Sequence, residues 1–182
     1  MTTHTTGTLA AVPALQRPDL LAPPVVTALT GWAHAAQVGV AQIDPALADT
    51  AALVAAHDVP AGACANCVVV SGRRGGDERV AALVVLSTTR ADVNGTVKRL
   101  LDVRKASFLP MERAVEDTGM EYGGITPVGL PAGWRLLVDA RVVDVPTAVI
   151  GSGVRAGKLL LPGALVAQLP GAEVVEGLGL PV

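Results

Sequence analysis

The chain has 182 residues, enough for one domain with a proper core. Hydrophobic residues make up 51% and aromatics only 2%, so Val, Leu, Ile and Ala must build that core. A formal net charge of −2 excludes a globally basic nucleic-acid binder, and any contact with RNA must use a local patch. Mean hydropathy is +0.49. Even so, no run of about 18 uncharged apolar residues occurs, and no basic stretch precedes an apolar N-terminal segment. Neither a membrane span nor a signal peptide is expected. A cytoplasmic protein fits, and Cys64 and Cys67 suit a reducing compartment better than a disulfide scaffold.

Residues 1–22 are rich in Thr, Ala and Pro and read as a flexible arm, which leaves 23–182 as one domain. Pro23 and Pro24 open a helix expected over Val25–Gln37, with Val25, Leu29, Trp32 and Ala36 along one side. Gly39–Ile43 reads as a short strand. Asp49 or Thr50 caps a helix over Ala51–His57. Cys64–Ser71 reads as a strand, Ser71–Glu78 as a polar glycine-rich loop, and Arg79–Ser87 as a returning strand apolar enough to be buried on both faces.

Asp92 caps a helix carrying Val93, Val97, Leu100 and Leu101 inward, with Lys98 and Arg99 outward. Lys105–Leu109 is a strand, Met111–Thr118 a helix, and Gly119 its C′ residue. Arg135–Ala140, Pro146–Ile150, Lys158–Leu161 and Ala172–Val175 read as strands, with a short helix at Gly163–Leu169. Hairpins mixed irregularly with helices argue for an α+β fold with a mixed sheet.

Met120–Leu130, MEYGGITPVGL, is the densest motif. Gly123 and Gly124 permit positive φ or close backbone approach, and Pro127 stiffens Thr126. Taken alone the stretch reads first as a connecting turn. Its other reading is a rigid loop whose N–H groups hold a carbonyl or an oxyanion. Cys64 and Cys67 form CANC, with no second such pair and no histidine cluster to complete a metal site, so none is expected. Three positions apart on a strand they point to opposite faces, which makes a disulfide awkward. Structural cysteines, a redox pair, and a substrate-pocket role for Cys67 beside Asn66 are the alternatives. Lys98, Arg99, Arg104 and Lys105 form one basic group and Arg73 and Arg74 another. Each is a solvated surface or a phosphate contact. Trp32, Phe108, Tyr122 and Trp134 are the aromatics able to stack on a base, Tyr122 being nearest the glycines.

Four segments, GACANCVVVSG (62–72), RADVNGTVKRLLDVRKASFLP (90–110), TGMEYGGITPVGL (118–130) and GSGVRAGKLLLP (151–162), occur together and in order. In this the chain resembles the YbaK/EbsC family, stand-alone relatives of the editing domain of bacterial prolyl-tRNA synthetases. The resemblance implies a partly barrel-like mixed sheet surrounded by helices. It also implies a trans-acting aminoacyl-tRNA deacylase that removes small mischarged amino acids of the alanine or cysteine type. No cofactor is implied. The partners implied are the acceptor end of a mischarged tRNA and a synthetase or elongation factor, with the protein a monomer or a homodimer.

Carried over by residue, Gly123, Gly124, Ile125, Thr126 and Pro127 would hold the ester carbonyl. Gly151, Ser152 and Gly153 would close the other side, and Arg155 would face a nucleotide phosphate. The family's usual lysine is replaced here by Asn66. Three outcomes fit: catalysis through the backbone loop and the tRNA's own hydroxyl, a charge supplied by Lys105 or Lys158, or a non-catalytic protein that binds tRNA, a nucleotide or an aminoacyl group.

Overall fold

The computed structural model describes residues 4–182. Strands β1 (Thr5–Thr6), β2 (Leu9–Ala10) and β3 (Val12–Pro13) lead into helix α1 (Pro23–Thr30) and strand β4 (Gly39–Gln42). Helix α2 (Thr50–His57) precedes the long hairpin β5 (Ala65–Arg74) and β6 (Asp77–Leu86). Next come β7 (Thr89–Ala91), α3 (Lys98–Leu100), β8 (Ala106–Phe108) and α4 (Met111–Thr118). The chain ends with β9 (Arg135–Asp139), α5 (Ala140–Val143), β10 (Ala148–Gly151), β11 (Gly157–Leu161), α6 (Gly163–Val166), β12 (Ala172–Val175) and β13 (Gly179–Pro181).

Two sheets carry the architecture, one ordered β10-β11-β4-β3 and the other β12-β9-β6-β5-β8. The second is mixed: β9 runs parallel to β6 and β12, whereas β5 is antiparallel to both β6 and β8. The two sheets do not close into a barrel. They touch where Cys64, just before β5, bridges Val149 of β10. This α+β arrangement is the one expected.

Side-chain alternation sorts the core. On β6, Ala82, Val84 and Leu86 face a cluster shared with Val40, Ile150, Leu159 and Leu161 of the other sheet. Ala81, Leu83 and Val85 face the opposite way, onto Val93, Val97 and Leu101. The strand is therefore central and buried on both faces, as its unbroken apolar run predicts. On β11, Leu160 joins a third cluster with Leu53 of α2 and Val149, on the outer face of the smaller sheet. Lys158, two residues earlier, shares that parity.

Several boundaries differ from expectation. Residues 4–22 are not a loose arm; residues 1–3 lie outside the described residues. β3 pairs with β4, and Leu9, Ala14, Leu20 and Leu21 are buried, because these scattered apolar residues have a sheet edge and α1 to pack on. The helix after Pro23 stops at Thr30, where Gly31 caps it, and only a 3-10 turn at Ala35–Gln37 follows. The expected loop over Ser71–Glu78 shrinks to Gly75 and Gly76. Both adopt positive φ, +60° and +97°, and so make the tight turn that keeps the two strands in register. After Asp92, whose carboxylate accepts from the Gly95 and Thr96 N–H groups, the first turn is a π-helix at Val93–Val97 rather than regular helix.

Candidate active site

A cavity of about 430 Å³ opens where the two sheets meet. α2 contributes Thr50 and Leu53, β5 contributes Asn66 and Cys67, the glycine loop Tyr122, Gly123 and Ile125, β10 Val149 to Gly151, and β11 Lys158. Its volume lies in the range of small-molecule sites. Leu53, Ile125, Val149 and Ile150 give it apolar walls, while Asn66 and Lys158 bring side-chain hydrogen-bond donors.

The glycine loop is built against the turn that follows β10. Gly124 N–H donates to the Glu121 carbonyl at 2.9 Å, Gly153 N–H to the Gly124 carbonyl at 2.8 Å, and Glu121 N–H to the Gly153 carbonyl at 2.8 Å. The Glu121 carboxylate accepts from the Arg155 N–H at 2.6 Å. Close approach explains the glycines. A Cβ at Gly124 would lie 2.8 Å from the Val154 backbone, and one at Gly151 would lie 2.4 Å from the Gly124 carbonyl oxygen. Gly123 needs its φ of +82°. Gly124 N–H is thus committed to the turn. Among the described residues, the Gly123 and Ile125 N–H groups make no backbone hydrogen bond, and both residues line the cavity.

The remaining residues of the two motifs stand behind this lining. Thr126 is fully buried, and among the described residues its hydroxyl has no hydrogen-bond partner. Pro127 borders a second hollow with Trp32 and Trp134. Ser152 is fully buried, with its hydroxyl donating to the Val154 carbonyl at 3.3 Å, and Gly153 packs on Ala22. Arg155 is held by backbone carbonyls. Its guanidinium donates to the Pro45 carbonyl at 2.9 Å and the Tyr122 carbonyl at 3.3 Å, clasping the entrance to α2 against the loop. Tyr122 itself stays exposed at the cavity mouth.

On the opposite wall, the Thr50 hydroxyl donates to Asn66 Oδ1 at 2.8 Å. That contact fixes the amide's orientation and leaves its two N–H donors without a partner among the described residues. Lys158 is 7% exposed, and its Nζ donates to the Ala48 carbonyl at 2.9 Å. Burial lowers the Lys158 pKa, and nearby Cys64 and Asp49 oppose that shift. Lys105, the other lysine considered, is exposed and does not line the cavity.

Both cysteines are free thiols. They divide as strand geometry predicts, Cys64 onto the cluster around Leu53 and Cys67 onto the cluster between the sheets, yet both reach the cavity because β5 starts at the seam. Burial raises the Cys64 thiol against the pull of Lys158, and pushes Cys67 up to about 12. Both remain protonated thiols at neutral pH, poor nucleophiles that serve as apolar wall. Among the described residues, no group of three or more His, Cys, Asp or Glu could hold a metal ion.

The two basic groups gather at the hairpin end of β5 but not on one face. Arg74 donates to Asp102, beside α3, at 2.7 Å, while Arg73, of opposite parity, lies on the α4 side near Glu78. Arg73 is seven residues and so about 23 Å along the strand from Asn66.

Of the two lysines considered as a source of charge, Lys158 lines the cavity and Lys105 does not. Thr50 and Leu53 are cavity residues that motif reading did not place there. Nothing local marks a contact between Thr50 and Asn66.

The sequence profile of the aminoacyl-tRNA editing domain matches residues 44–168, well over half of the chain. Among curated proteins none matches the sequence. In fold, the chain is similar to a candidate trans-editing enzyme for prolyl tRNA synthetase, with a TM-score of 0.71 at 22% identity, covering 85% of this chain and 94% of that one. It is also similar to a scaffold protein used for epitope backbone grafting, with a TM-score of 0.72 at 19% identity, covering 88% and 97%. A hypothetical protein aligns with a TM-score of 0.64 at 23% identity over 73% and 85%. Among the described residues, no helix is long and apolar enough to cross a membrane.

Proposed function

Because the chain belongs to the aminoacyl-tRNA editing domain family, we propose that it is a trans-acting deacylase. It would hydrolyse the ester between a small mischarged amino acid, alanine or cysteine in type, and the end of a tRNA. The observation that carries this reading is the cavity itself. It has apolar walls from Leu53, Ile125, Val149 and Ile150, donors from Asn66 and Lys158, and two cysteines held as unreactive thiols.

An activated ester asks little of an enzyme: a positioned water and donors for the developing oxyanion. Gly123 and Ile125 N–H and the Asn66 amide are the candidate donors, and Tyr122, exposed at the mouth, would stack on the terminal base. The need for a hydrolytic site follows from selectivity. One methylene distinguishes substrates by only about 1–3 kcal/mol, so close mimics escape a synthetase that sorts by binding alone. The exposed Lys98 and Arg99 would meet phosphates further along the stem. A prolyl-tRNA synthetase system is the setting suggested by the structural relative.

Deacylation of a panel of mischarged tRNAs tests the proposal. Release of a small amino acid is expected. Tight tRNA binding without release would instead identify a binding protein that has kept the fold after losing the β5 lysine.

A further inference from the structure

The cavity has a lysine, and it arrives from the wrong strand. Asn66 on β5 is neutral, whereas Lys158 on β11 places its ammonium in the same cavity, buried between the entrance to α2 and the seam of the sheets. We infer that Lys158 is the charged group of the hydrolytic site and that its ammonium holds the ester carbonyl oxygen as it becomes an oxyanion. This rests on the deacylase reading above.

Three observations converge on it. A lysine is seldom so fully buried unless it is paired, and this one has a single hydrogen-bond acceptor, the Ala48 carbonyl, leaving two of its three N–H groups free for a ligand oxygen among the described residues. The titratable groups within range are Asp49 at the α2 cap, Arg155 and the neutral Cys64 thiol; none forms a salt bridge with it. Across β10, Lys158 is directly opposite Gly151, which packs on Gly124 and Ile125. The ammonium and the glycine loop therefore border one space.

In the hydrolytic step, a water oxygen bonds to the carbonyl carbon and the C=O electron pair moves onto oxygen, beside the ammonium. Collapse then breaks the bond to the ribose oxygen, which receives the proton the water gives up. The products are the free amino acid and a tRNA with its terminal hydroxyl restored. Lys158 stays protonated throughout and exchanges no atom.

The test is a charge transfer between strands, read as single-turnover deacylation by the full chain. Lys158→Met should lower kcat by roughly a hundredfold with KM little changed, the scale of losing one oxyanion donor. Asn66→Lys added to Lys158→Met should recover at least roughly a tenfold share of that loss, because it restores one ammonium to the cavity. Recovery also shows that the Met variant folds. Two results overturn the inference: an active wild type with Lys158→Met within threefold of it, or a loss in Lys158→Met that Asn66→Lys leaves unrepaired. A wild type silent on every aminoacyl-tRNA overturns the deacylase reading itself, and the inference with it.

Discussion

The Lys158 ammonium donates to the Ala48 carbonyl oxygen at 2.9 Å, tying β11 to the residue just ahead of the α2 cap across 110 positions of sequence. The bond brings a buried charge to the seam of two sheets, and it has a measurable cost. Burial lowers the ammonium's pKa from its ordinary 10.5. A base whose pKa falls on folding costs stability wherever it stays protonated, and the cost fades as pH climbs from the folded pKa to the unfolded one. Lys158→Met should therefore raise stability at pH 7, part of the gain being lost with the Ala48 contact. The gap should narrow as pH approaches 10.5. Thermal melts across that range check it, and a Met variant that melts well below wild type at pH 7 would mark the lysine as structural.

Gly124 and Asn66 should separate backbone from side chain. Gly124→Ala places a methyl 2.8 Å from the Val154 backbone and pries the loop from its partner turn. A cost of about 1–3 kcal/mol in stability is expected, with a fall in kcat. Asn66→Ala removes an exposed amide whose Oδ1 contact is with Thr50, so Tm should hold while kcat drops less. Paired melting and single-turnover measurements decide the order. A larger kcat loss in Asn66→Ala would shift the chemistry to the amide.

The two thiols should be sluggish. With Cys67 at about 12 and Cys64 raised by burial, iodoacetamide at pH 8 should alkylate the folded protein roughly tenfold more slowly than a free peptide thiol. Unfolding in denaturant should remove the difference. Fast labelling of the native protein, or a Cys64–Cys67 disulfide on mild oxidation, would contradict the reading of these residues as wall.

How far the site could be seen in the sequence depended on whether its parts were local. MEYGGITPVGL and GSG are visible because tight backbone needs glycine, and the apolar run of β6 is visible because a central strand is buried on both faces. Asp49 and Asp92 are visible as caps because the acceptor lies two to four residues from its donors. The Arg155 clasp on Pro45 and the Thr50–Asn66 bond are not, since each joins segments whose separation only the tertiary fold closes; Lys158 could be named beside Lys105 as a source of charge, but only the fold chooses between them. The packed segment over residues 4–22 was missed for a related reason. Its strands are two residues long and acquire a purpose only once β4 and α1 are in place.

Acid should find the α4 docking contact. Arg113 makes a two-pronged contact with Glu78 of β6, at 2.7 and 2.6 Å, and holds the Glu78 carboxyl below its ordinary 4.5. A carboxylate with a lowered pKa stabilises the fold above its unfolded pKa, and that contribution disappears as pH falls through the folded value. Arg113→Gln should therefore melt earlier than wild type at pH 7 and together with it once pH lies well below 4.5. Both groups are partly solvated, so the difference should also shrink in high salt. A gap independent of pH would assign the effect to helix packing instead.

The most direct measurement is the release of amino acid from a panel of individually charged tRNAs by the purified full chain. Hydrolysis of alanyl- or another small aminoacyl-tRNA, with large side chains spared, is the predicted result. Binding of those tRNAs with no release from any member would contradict it.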